Sequence, residues 1–162
     1  MNRRLALAAL LVAASAALPS AAAAQPVPLK GLTSLQIVAE DTDENDAKCG
    51  VTKADIVAAA SKALADSGVK VVDSSRSTLG VSLITLVVEP EGLCVSHVGI
   101  SLRALAFGSL SYAPDEKLTI EGTLQQQRSL FSSPKTEHGA RMRERVRTLA
   151  ERIAKEIAAA NR

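Results

Sequence analysis

The chain has 162 residues, a formal net charge of +2, two cysteines and 2 % aromatic side chains. Both surplus positive charges fall within the first 24 residues, which leaves 138 residues carrying 17 basic and 17 acidic side chains. A balanced chain lacks the Lys and Arg surplus that sequence-independent nucleic-acid binding requires. With Phe107, Phe131 and Tyr112 as its aromatics it also offers few platforms for stacking bases, so no nucleic-acid partner is expected.

Residues 1–24 have the pattern of a secretory signal peptide: Arg3 and Arg4, an apolar stretch over 5–18, then Ala22-Ala23-Ala24 before Gln25. Cleavage after Ala24 and a periplasmic or secreted product are expected. No cysteine directly follows the apolar stretch, so no N-terminal lipid anchor is expected. Beyond residue 25 nothing approaches the ~18 consecutive apolar residues of a membrane span. In an exported chain, Cys49 and Cys94 have one possible pairing and are expected to form a disulfide.

Residues 25–30 (Q-P-V-P-L-K) read as an extended linker, because each proline fixes its own φ and restricts its predecessor. One domain over 31–162 is expected, a size at which a chain buries about two-thirds of its unfolded surface. Leu35, Ile37 and Ala39 alternate with polar neighbours as a strand. The next seven residues, 40–46, hold five acids, which repel one another, and are expected to form a solvated loop. Thr52 and Asp55 have capping-box spacing, and Ile56, Ala59, Ala60, Ala63 and Leu64 recur at helical spacing until Gly68. Val69, Val71 and Val72 follow as a short strand.

Residues 79–89 are apolar on both faces and predict a central strand covered on both sides. Pro90-Glu91-Gly92 predicts a turn into a strand over 93–107, with Cys94, Val98, Ile100 and Leu102 on one face and His97, Ser101 and Arg103 on the other. Residues 108–116 read as a loop around Pro114-Asp115, followed by a strand over 118–124, with 125–128 open to either strand or turn. From about Pro134, Met142, Val146, Leu149, Ile153 and Ile157 form one apolar stripe of an amphipathic helix. The order β-α-β-β-β-β-α predicts an α+β two-layer sandwich: a mixed or mostly antiparallel sheet of four to five strands with two helices on one face.

Asp41, Asp43 and Asn45 occupy positions one, three and five of a calcium-loop pattern. The pattern then fails, with Asp46 where Gly is needed and Thr52 in place of the bidentate Glu, so they are weak metal candidates. His97 and Ser101 lie four residues apart on one strand, roughly 13 Å, too far for a nucleophile and its base. No zinc, redox or phosphate-loop motif occurs and no cofactor is expected. Arg141, Arg143, Arg145, Arg147 and Arg152 flank the apolar stripe of the last helix. That arrangement suits a helix docked on a sheet with wet guanidinium groups, or one lying on anionic lipid.

In element order the chain resembles small periplasmic accessory domains such as the N-terminal domain of the translocation protein TolB, which implies an accessory role. Two helices cover one face of such a sheet, while residues 79–88 are apolar on both sides, so the second face needs an envelope protein, a second copy of the chain or an unrecognised loop. The expectation is an exported non-catalytic binding or accessory module of the bacterial envelope. The alternatives are a small secreted hydrolase using carboxylates, with Glu89, Glu91, Asp115 and Glu116 at turns, and a surface binder of anionic lipid making peripheral membrane contact.

Overall fold

The computed structural model describes residues 29–162. The predicted signal peptide and its cleavage site, and residues 25–28 of the predicted linker, lie outside the described residues. The elements run β1 (Ser34–Ala39), α1 (Glu44–Lys48), α2 (Lys53–Asp66), β2 (Lys70–Val71), β3 (Ser77–Val88), β4 (Leu93–Leu110), β5 (Ala113–Pro134) and α3 (Lys135–Ala160). They form one mixed sheet in the order β2-β1-β3-β4-β5, with β1 parallel to β2 and β3, and the rest antiparallel. This is the α+β class expected, with α2 and α3 on one face.

The period-two pattern of each strand decides which side chains meet the helices. Leu35, Leu79, Val81, Val98, Ile100 and Leu102 are buried on the covered face. Against them lie Ile56, Ala60, Ala63 and Leu64 of α2 and Met142, Val146, Leu149, Ile153 and Ile157 of α3, the stripes that helical spacing singles out. Thr52 caps α2 by accepting from the Asp55 backbone amide, and Gly68, at φ +80°, follows its last turn. At the other end of the chain the Asn161 side chain donates to the carbonyls of Leu29 and Leu32 and accepts from the Gly31 amide. Leu29, read from sequence as linker, is therefore part of the core.

Three local expectations change. The acidic stretch is not all loop: Asp43 caps α1 through a reciprocal pair with Asp46, each side chain accepting from the other's backbone amide at 2.9 and 3.0 Å. Residues 108–116 are not a loop either. Only Ser111-Tyr112 turns, and Pro114 lies in β5, an edge strand in which a missing N–H is tolerated. Finally, β3 is central but not covered on both sides, because among the described residues no element packs over its second face.

Cys49, at the C-cap of α1, and Cys94, at the start of β4, form the expected disulfide and are fully buried. The bridge fastens the α1 turn to the sheet at the end where α3 begins. There Gly139 permits a close backbone approach, tighter than at any other described glycine: a Cβ at that position would lie 2.1 Å from the Gly50 carbonyl oxygen.

Candidate functional site

The open face of the sheet combines exposed aliphatic side chains with a polar groove. Ile84 (64 % exposed) and Leu130 (71 %) flank His97 in one row across β3, β4 and β5, and Leu86 (58 %) lies beside them. Val38 and Val88 extend the apolar surface along β1 and β3. Gly80 and Gly99 leave the face low in its middle, where a Cβ on Gly99 would come within 2.7 Å of Ser82 Oγ. Beside them a groove of about 200 Å³ is lined by Val38, Glu40, Ser82, Ser101, Arg103 and Glu121. Arg103 donates to Ser101 Oγ at 3.1 Å and stands 4.0 Å from Glu121, while Glu40 accepts from the Leu83 amide. The groove's charges are thus partly matched from within.

Beyond Ala104, which pairs with Ser77, β4 and β5 continue without β3. Residues 105–121 form a two-stranded ribbon with Leu105, Phe107, Tyr112 and Ile120 exposed. Arg76 lies over the Phe107 ring at 5.1 Å, the one side chain from outside the ribbon described against that ring.

The arginines of α3 lie around a docked helix. Its apolar stripe is buried against the sheet and α2, so that stripe is not free to meet lipid. Arg141 pairs with Glu137, Arg143 with Asp55, and Arg147 with both Glu144 and Glu151. Arg145 stands 5.9 Å from the Phe131 ring, and Arg152 is exposed. The hydrogen bond and charge of Arg147 hold Glu144 below the ordinary carboxylate range.

The calcium-like residues also have other uses. Asp41 accepts from Lys53 at 2.7 Å, which lowers its pKa, Asp43 caps α1, and Asn45 lies within that helix. Among the described residues no three His, Cys, Asp or Glu side chains are gathered to hold one metal ion. Of the turn carboxylates, Glu89 lies 3.7 Å from Lys135, and Glu91, Asp115 and Glu116 are exposed.

Sequence reasoning misses one cluster. His138 is fully buried, with Nε2 2.7 Å from Ser96 Oγ and Nδ1 2.7 Å from Ser133 Oγ, and Ser96 Oγ is 2.7 Å from Thr85 Oγ1. A neutral imidazole donates from one nitrogen and accepts at the other, which completes this chain of hydroxyls. The ring stacks on Phe131 at 4.9 Å. Burial pushes the His138 pKa down, against the opposing field of the buried Asp46 carboxylate. With no exposed member, the chain holds the start of α3 to the sheet and is not positioned to act on a substrate. The only sequence signal is a histidine in the first turn of a helix whose neighbours are polar.

The chain matches no protein family and no curated protein. Among solved structures it is similar to the rare lipoprotein B from Shewanella oneidensis, with 13 % identity over 77 % of this chain and 92 % of that one. The TM-score is 0.26, and so loose a superposition establishes neither a shared fold nor a shared role.

Proposed function

We propose that this chain is an exported, non-catalytic binding or accessory module of the bacterial cell envelope that holds a protein partner on the open face of its sheet. The observation that carries the reading is the cluster Ile84, Leu86 and Leu130, each more than half exposed on the face opposite the helices. An isolated exposed leucine needs no explanation, but neighbouring aliphatic side chains on one flat face are characteristic of a contact surface. The signal-peptide pattern and the closed Cys49–Cys94 bridge support an oxidising compartment.

Photo-crosslinking in intact cells tests this. A photoreactive residue at Ile84 is expected to give a discrete adduct that disappears with Leu86→Asp, while the same probe at Lys155 on α3 gives none. Equal labelling from both positions, or none from Ile84, overturns the reading. Mass spectrometry of the purified native chain is expected to find Gln25 as its first residue.

A further inference from the structure

We propose that two copies of this chain associate through the free edge of β5, about a two-fold axis at Thr119, so that their ribbons join into one four-stranded sheet. This surface is the strand edge, separate from the open face, so the inference does not depend on the reading above.

β5 is the terminal strand of the sheet, and among the described residues no third strand lies beside residues 105–121. Two strands alone are marginal in water, and an unpaired edge is a ready template for another strand. The edge is regular from Leu118 to Thr123, between irregularities beside Gly108 and beside Arg103.

That stretch, together with Lys117 at its margin, is self-complementary. Laid antiparallel on a copy of itself about Thr119, the sequence Lys117-Leu118-Thr119-Ile120-Glu121 sets Lys117 opposite the partner's Glu121 and Leu118 opposite the partner's Ile120. Symmetry repeats each pair. Directly opposed residues share a face, so two Lys–Glu pairs gather with Thr119 on one side of the ribbon. The four aliphatic side chains gather on the other side, where Ala106 and Gly108 are the cross-strand neighbours of Ile120 and Leu118. Beyond Lys117, β5 enters the irregularity beside Gly108, so the symmetric pairing is confined to 117–121. Glu121 and Lys117 are exposed, and Glu121 keeps Arg103 only at 4.0 Å. Shifting the register by two residues in either direction brings the partner's Lys117 opposite Thr119 or Thr123 and loses both ion pairs.

Sedimentation equilibrium of the purified native chain, with the Cys49–Cys94 bridge intact, tests the assignment. The wild type is expected to be a reversible dimer. Lys117→Glu and Glu121→Lys each place like charges opposite one another and weaken association by about tenfold or more. The double variant Lys117→Glu/Glu121→Lys restores the complementarity and the dimer. Thr119→Cys is expected to form an interchain disulfide on mild oxidation, whereas Thr123→Cys, whose copies lie far apart in this register, does not. A wild type monomeric at every concentration, single variants that associate as well as the wild type, a double variant that stays monomeric, or equal crosslinking at both cysteine positions each overturn the proposal.

Discussion

The two ends of the β4–β5 hairpin have the same backbone pairing and opposite surroundings. At one end Cys94, Ser96, Phe131 and Ser133 lie under α3 and beside α1, tied by a disulfide and by the hydrogen bonds of a buried histidine. At the other end Leu105, Phe107 and Ile120 are exposed, and among the described residues no helix lies above them and no third strand beside them. Strand pairing alone therefore does not decide where this molecule is stable. The packed end holds the fold together, and the bare end leaves its side chains exposed.

The contrast can be broken most strongly at the packed end. Replacing both Cys49 and Cys94 with Ala is expected to cost about 4 kcal/mol, the chain-entropy estimate for a loop of this length. Urea unfolding of the two proteins reads the difference. Gly139→Ala comes next, and its sign is diagnostic. In an ordinary helix interior the change gains up to about 1 kcal/mol. Here the new Cβ meets the Gly50 carbonyl oxygen, so a loss of about 3 kcal/mol is expected instead. A denaturation midpoint that rises would contradict the close approach described.

A smaller effect follows from His138. Burial lowers its folded-state pKa, so the unfolded chain takes up the proton first as pH falls. Its contribution to stability is complete above the unfolded value of about 6.5 and is lost progressively below it. Between pH 7 and 5 the wild type is expected to lose stability with a slope of at most about 1.4 kcal/mol per pH unit from this group. His138→Leu removes that component of the slope, while lowering stability at pH 7 by about 2 kcal/mol because Ser96 and Ser133 lose a partner. Thermal melts across that pH range check both statements. Smallest of all, Phe107→Ser in the ribbon is expected to change stability by less than about 0.5 kcal/mol, measured in the same urea assay.

The legible parts of the fold were those set by periodicity and residue count. Leu79 to Val88 announced a central strand, the Met142–Ile157 stripe announced the docked helix, and a single pair of cysteines left one bridge to make. What escaped depended on relations between distant residues or on competing local signals. Pro114-Asp115 has turn chemistry, yet at an edge a proline costs no ladder hydrogen bond, so β5 runs through it. Five acids suggested mutual repulsion, yet Asp43 and Asp46 satisfy one another's backbone amides. The Thr85–Ser96–His138–Ser133 chain needs the strand register before it can be seen. The exposed face was legible as a surplus of aliphatic side chains in β3, but its row with Leu130 was not, because the sequence does not say which residue of β5 stands opposite His97.

Asn161 grips the backbone of Leu29, Gly31 and Leu32, so the outset and the close of the domain meet at one corner. A short linker between them, with new termini opened at Ser111-Tyr112, would preserve every core contact while severing the tip of the projecting hairpin. Such a circular permutant would separate what the ribbon's loop does from everything the helices and sheet do.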